Sequence, residues 1–366
     1  MSLAMGISRF GFTPIIPLMQ RDIGVTEWDI AVMASMNYLG YLLGAYISRT
    51  EWIRRHLRVC LGGGILVSLL LLVAMPLTLN NFLWAFLRLF AGFLSAILFV
   101  VASSVTLGQG RNDWAGYLYS GVGIGIAFTG IFVPIFDAFG DWTISWYGLA
   151  LGGSLFGIVA WYTLSKVIYD KTGETGKSQS RNCFIRDYQW YVLLLSYGLE
   201  GIGYIITATF IVQMINSMPE LSHIANQSWV LIGLAAIPST YLWALLAKKT
   251  NIKVSLILAF ALQAMGILLP VILPNQLSTL IGGALFGGTF MGITSLSITL
   301  AQQLQPKAQM QAIGELTTVY ALGQIIGPIV AAYLQNQFNI LAPSIFAVMI
   351  LILALFVLMT LKIRRK

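Results

Sequence analysis

The chain has 366 residues, of which 58% are hydrophobic and only 9% charged. A water-soluble domain carries about 25% charged residues, so the composition excludes an ordinary soluble fold. The formal net charge of +8 would suggest a nucleic-acid partner, but its placement in alternate loops, described below, explains it without one.

A helix that crosses a bilayer needs about 20 apolar residues, and such stretches follow one another along nearly the whole chain. A barrel would instead show alternating segments of about 10 residues. The expected fold class is therefore an all-α polytopic membrane protein with about twelve transmembrane helices. The first span, 1–20, contains MGISRFGFTPIIPLM over residues 5–19 and carries Arg9 and Thr13. Arg9 lies only about 12 Å of helix from the start, and no basic leader precedes it, so this helix is expected to have lost a turn or two. The spans 29–48 (with Asn37 and Tyr41), 57–77, 82–106 (with Arg88), 113–137 and 141–165 follow.

The longest polar stretch, SKVIYDKTGETGKSQSRNCFIRDYQ, then divides six spans from six and reads as a linker. Beyond it come the spans 189–215 (with Glu200 and Tyr204), 227–247, 252–273, 277–304, 311–334 (with Gly314, Glu315, Gly323, Gly327 and Pro328) and 340–361. The expected organisation is an N-terminal six-helix bundle over 1–165, a cytoplasmic linker over 166–188 and a C-terminal six-helix bundle over 189–366.

Lys and Arg are retained on the cytoplasmic side of a membrane. Here Arg49, Arg54, Arg55 and Arg58 follow span 2, Lys166 and Arg186 lie in the linker stretch, Lys248, Lys249 and Lys253 follow span 8, and Lys362 and Lys366 end the chain. The opposite loops hold Arg21 among Asp22, Glu27, Asp29, Asp137, Asp141 and Glu220. Both termini are thus expected in the cytoplasm. Cys60 and Cys183 fall on that reducing side, so no disulfide is expected. His56 and His223 fall on opposite faces, and no metal site, cofactor or enzymatic nucleophile is expected.

A shift of about 193 residues superposes the halves. Gly6, Gly11 and Phe12 fall on Gly198, Gly203 and Tyr204, Gly40 falls on Gly233, and the Gly121–Gly130 spacing recurs as Gly314–Gly323. Six spans is an even number, so the repeat is parallel, a plan of secondary transporters whose substrate site lies near the midplane between the halves.

These residues resemble the major facilitator superfamily. RLFAG (Arg88 to Gly92) is similar to its R-x-x-x-G element, and GELTTVYALGQIIGP (Gly314 to Pro328) is similar to its glycine-rich antiporter pattern, displaced here from span 5 to span 11. GAYISRTEWIRRHLR (Gly44 to Arg58) keeps the basic cluster of the superfamily's loop signature without its aspartate. GISRFGFTPIIPLM, MNYLGYLLGAYI and YGLEGIGYIITATF resemble the YbfB/YjiJ-type branch of bacterial facilitators. The resemblance implies a monomeric inner-membrane transporter and brings no substrate with it.

A charge at the bilayer centre costs about 2.5–3.5 kcal/mol on insertion scales, so it faces a cavity or a partner. The repeat sets Arg9 at the depth of Glu200, and the facilitator resemblance turns both towards one central space. Arg9 is expected to attract an anionic group, with Thr13, Asn37, Tyr41 and Tyr204 as further substrate-binding candidates. Glu200 is expected to exchange a proton, since a carboxyl that gains and loses solvent can load and release one. The alternative is a static Arg9–Glu200 ion pair holding the halves together. Arg88 and Glu315 are further proton-coupling candidates. Arg88 can equally serve structure by reaching the interface, and Glu315 can be a gate or first-turn carboxylate. Gly314, Gly323, Gly327 and Pro328 are gating candidates. The expected function is secondary active, proton-coupled transport of a small organic solute across the inner membrane, with export by antiport slightly favoured. The alternatives are uptake of an organic anion by proton symport, or a non-transporting receptor with a transporter fold.

A reporter fused after Lys366 and a label placed between Gly173 and Lys177 should both read cytoplasmic. A periplasmic signal from either would overturn the orientation.

Overall fold

The computed structural model describes residues 1–48, 50–107, 115–170 and 184–362. Most of the expected linker, with Cys183 and the C-terminal Lys366, lies outside the described residues. Among the described residues the structure is all-helical, with eleven helices long and apolar enough to cross a membrane. The remaining expected span, 1–20, is interrupted.

That span is the main departure from a plain succession of helices. Ser2–Ile7 winds as a π-helix, seen in the bonds from Ser8 N to Leu3 O and from Phe10 N to Met5 O. A turn follows over 8–11, and a regular α-helix, α1, resumes at Phe12–Ile23. Gly6, Gly11 and Pro14 punctuate this stretch. Proline is tolerated in the first turn of a helix, where its missing N–H is not needed, so Pro14 fits a helix that begins afresh at Phe12.

The other helices are α2 (Glu27–Ile47), the short α3 (Glu51–Arg55), α4 (Leu57–Ala74), α5 (Asn81–Leu107), α6 (Ala115–Asp137) and α7 (Trp142–Asp170). They are followed by α8 (Tyr188–Asn216), α9 (Ala225–Lys249), α10 (Ile252–Ile272), α11 (Gln276–Leu304), α12 (Gln309–Gln337) and α13 (Ala342–Met359). Several starts are fixed by side-chain caps: Thr26 and Asp29 form a capping box on α2, Asp187 caps α8 and Asn251 caps α10.

Two seams join the first six spans to the last six. In one, α2 lies on α12 and Ser35 Oγ donates to the Ile325 carbonyl at 2.8 Å. In the other, α6 lies on α9 and Trp229 Nε1 donates to Thr129 Oγ1 at 3.0 Å. The internal repeat exchanges these seams, since it maps α2 onto α9 and α6 onto α12. Helices in lipid gain little from apolar burial and pack instead through small residues that let backbones approach. A Cβ added at Gly233 would stand 2.3 Å from Ala127 N, so α6 and α9 touch backbone to backbone. The same device joins α2 to α5, where a Cβ on Gly92 would meet the Asn37 carbonyl at 1.8 Å.

On the face opposite the linker, hereafter the far side, Arg21 at the end of α1 grips Asp137 at 2.8 and 3.0 Å. It also bonds Asp22, whose other oxygen accepts from the Trp142 backbone N–H at 3.0 Å. The bonds from Arg21 hold the Asp22 carboxyl below the usual carboxylate range. This network ties the far end of α1 to the turn between α6 and α7.

Gly233→Ala should lower the melting temperature in detergent, because extra volume in a close-packed seam costs about 1–3 kcal/mol. Gly63→Ala, at a position with nothing within 4 Å, should leave it unchanged. Equal melting of the two variants would refute the backbone contact at the α6–α9 seam.

Candidate functional site

The interruption of the first span leaves carbonyls with no partner in the helix, and Arg88 of α5 supplies one for two of them. Its NH1 donates to the Ser8 carbonyl at 2.8 Å and its NH2 to the Arg9 carbonyl at 3.0 Å. The guanidinium also lies over the Phe12 ring, 4.7 Å from its centroid. The α2–α5 contact brings Arg88 within reach of the break, and Asn37 Nδ2 donates to the Arg88 carbonyl at 2.8 Å. Asn37, expected to contact substrate, is here part of the scaffold behind the break.

Arg9 sits at the break and is only 4% exposed. Its guanidinium lies over the faces of Tyr41 and Tyr38, 4.5 and 4.7 Å from their centroids. NH2 donates to Gln324 Oε1 of α12 at 2.8 Å. NH1 reaches the Met5 sulfur at 3.9 Å, the Tyr41 hydroxyl lies within hydrogen-bonding reach of the guanidinium, and Nε has no hydrogen-bond partner. Among the described residues no carboxylate lies within salt-bridge distance of Arg9. The static Arg9–Glu200 pair is therefore not formed. One turn further along, Thr13 Oγ1 donates to the Ala208 carbonyl of α8 at 2.8 Å, a direct bond between the halves.

Glu200 is fully buried and lies among α8, α10 and α12. Its Oε1 accepts from Gln263 Nε2 at 3.3 Å, and Oε2 has no well-formed hydrogen bond. Between Glu200 and Arg9 stands a ladder of aromatic rings. Tyr197 stacks on Tyr320 at 4.4 Å, Tyr320 on Tyr204 at 6.1 Å, and Tyr204 on Phe290 at 5.3 Å and on Phe286 at 6.0 Å. Phe290 meets Phe10, next to Arg9, at 6.4 Å. Tyr204 and Tyr320 each lie within electrostatic reach of both Arg9 and Glu200. Tyr204 was expected at the site and Tyr41 is part of the Arg9 cage. Tyr197, Tyr320, Phe286 and Phe290 were not singled out, although Tyr197 and Tyr204 bracket Glu200 on one helix face and Phe286 and Phe290 are spaced i, i+4.

Glu315 lies apart from this centre. It accepts from Arg186 NH2 at 2.8 Å, from Gln311 at 3.1 Å and from Trp190 Nε1 at 3.3 Å, which pins the start of α8 to the linker-side end of α12. Gly323 and Gly327 face α8: added Cβ atoms would stand 2.5 Å from the Gly198 carbonyl and 2.4 Å from Ile205 Cγ2. Gly314 is buried one residue before Glu315, and Pro328 is inside α12. On the far side, Glu27 Oε1 accepts from three glutamines on three helices: Gln20 of α1 at 3.3 Å, Gln213 of α8 at 3.5 Å and Gln335 of α12 at 3.3 Å. These residues line a cavity of about 400 Å³ at the far-side mouth.

A multi-span helical bundle with an interrupted helix, a buried cation without a carboxylate partner at the break and a buried carboxyl behind it fits the plan of membrane transporters. Residues 1–359 match the model of a family described as "Uncharacterised MFS-type transporter YbfB", and the chain belongs to that family of the major facilitator superfamily. A crystal structure of the nucleoside transporter NupG, in a mutant form, superposes with a TM-score of 0.74 at 14% sequence identity, covering 98% of this chain and 97% of that one. At that identity the likeness shows the fold. No curated protein matches the chain.

Arg88→Leu should leave the Ser8 and Arg9 carbonyls unsatisfied, each at a cost of about 1–3 kcal/mol, and so lower the melting temperature more than Arg88→Lys, which retains a donor. Equal melting of Arg88→Leu and the parent protein would show that the clamp does not hold the break.

Proposed function

We propose that the protein is a proton-coupled secondary transporter of a small organic anion across the bacterial inner membrane. Arg9 holds the anionic group, Glu200 carries the proton, and the two six-helix halves rock about the seams α2–α12 and α6–α9. The single observation behind this reading is that Arg9 is buried at the break of the first span with no carboxylate beside it. A cation in that position needs a counter-charge, and a bound anion supplies one. Gln324, a neutral partner, gives way to an anion more readily than a carboxylate would.

The same observation favours uptake by symport over export by antiport. In an antiporter with a shared charge, the anion and the Glu200 carboxylate would compete for Arg9. Here Glu200 is bonded to Gln263, and Arg9 to Gln324, so proton and anion occupy separate places and can be carried together. The glycine pattern of α12, which favoured antiport in the sequence, lies against α8 within the second half. We assign Arg88 to holding the break that presents Arg9, and Glu315 to anchoring the linker-side end of α12. Gly323 and Gly327 give α12 a close track on α8 along which it can shift.

The Thr13–Ala208 bond and the Glu27 hub join the two halves on the far side of Arg9, which supports an alternating-access reading in which these contacts part and re-form. The protein acts as a monomer, with each half contributing to one central site.

In proteoliposomes, Glu200→Gln should lose accumulation driven by a pH gradient while retaining exchange between equal pools, because glutamine fixes the neutral form and preserves shape. Arg9→Ala should lose both. If Glu200→Gln accumulates substrate as the parent does, Glu200 does not carry the proton. If Arg9→Ala still exchanges substrate, the cation is not the anion site.

A further inference from the structure

Resting on the anion reading of Arg9, we infer that the transported anion is planar and aromatic: a ring or fused-ring body bearing a carboxylate or a comparable acidic group. Two independent features point this way.

The first is how Arg9 is held. Its guanidinium carbon lies over two tyrosine rings, Tyr38 and Tyr41, and its Nε–H is left without a partner. Along the edge of the guanidinium NH2 donates to Gln324. A carboxylate binds a guanidinium along its edge and in its plane. The tyrosines therefore orient the acidic group, and the body attached to it, with respect to the surrounding rings.

The second feature is the ladder beyond Arg9. Tyr320, Tyr204, Phe290 and Phe286 come from three helices, yet their contacts have interplanar angles of only 16–23°. The Tyr197–Tyr320 pair at the end nearest Glu200 is flatter still, at 11°. Tyr204 and Phe290 stack at 5.3 Å between centroids, and Phe290 touches Phe10 beside Arg9. Tyr320, which stands in the ladder between Tyr197 and Tyr204, is partly exposed, while Tyr197, Tyr204, Phe286 and Phe290 are buried. A flat ring continues such a stack with its whole face. A saturated ring of the same size is puckered, projects hydrogens out of its plane and contacts the stack only at points, which forfeits dispersion and quadrupole attraction. Cofacial walls with one cation at their edge select for flatness and negative charge together.

The test uses purified full-length protein and pairs of acids that differ only in ring saturation: benzoate with cyclohexanecarboxylate, phenylacetate with cyclohexylacetate, and 2-naphthoate with decahydro-2-naphthoate. Binding is measured by ligand-induced thermal shift and by counterflow in proteoliposomes. In each pair that binds, the aromatic acid should bind about tenfold more tightly. Phe290→Leu and Tyr204→Leu should each reduce that ratio towards one. The ratio is read within one protein sample, so a loss of folded protein cancels, and two variants on different helices guard against the misfolding of either. Saturated acids that bind as well as aromatic ones, or a preference that survives both substitutions, would overturn the inference and leave the anion reading standing. Binding of neither member of any pair, with neutral or cationic aromatics bound instead, would overturn the anion reading and this inference with it.

Discussion

Everything at the centre of this protein depends on the two bonds from Arg88 to the carbonyls of Ser8 and Arg9. A helix interrupted within a membrane exposes backbone groups that lipid cannot satisfy. Arg88 satisfies two of them, and because it is a cation buried for that purpose, its own charge is in turn spread over two carbonyl dipoles and the face of Phe12. The interruption lets Arg9 stand at a turn instead of on a continuous helix wall, where Tyr38 and Tyr41 can cover its faces. The close backbone contact of α2 and α5 is part of the same arrangement: without glycine at position 92, α5 could not approach Asn37 closely enough for Arg88 to reach the break.

A division of labour follows between the two halves. The first half supplies the cation, its aromatic cage and the clamp. The second supplies the stacked rings, the buried carboxyl and Gln324. On α12, Tyr320 and Gln324 are one turn apart; the first lies beside Glu200 and the second is bonded to Arg9. One helix thus touches both the buried carboxyl and the buried cation. The packing of α12 on α8 is close at Gly323 and Gly327, and Tyr320 of α12 stacks on Tyr197 and Tyr204 of α8.

The succession of helices was legible in the sequence because hydropathy is a one-dimensional signal. Arg9, Arg88 and Glu200 stood out because charge within an apolar run is conspicuous. Their partners did not. That Arg88 bonds the carbonyls of Ser8 and Arg9 depends on a break that Gly11 and Pro14 mark only locally. The sharing of depth by Arg9 and Glu200 followed from the repeat, but depth does not fix direction around a helix axis, and so Glu200 came to lie with Gln263 of α10 instead of facing Arg9. The aromatic ladder was invisible for a related reason: Tyr197, Phe286, Phe290 and Tyr320 look like ordinary apolar helix residues until three helices bring them face to face.

The Glu27 hub has a consequence for how the far side opens. Its three partners are neutral amides at 3.3–3.5 Å, long for hydrogen bonds, and they come from different helices. With no opposite charge across the seam, dissolved salt has little to screen. Water can replace the amides one at a time, each exchange costing little because the carboxylate stays solvated throughout. No single one of the three bonds carries the hub.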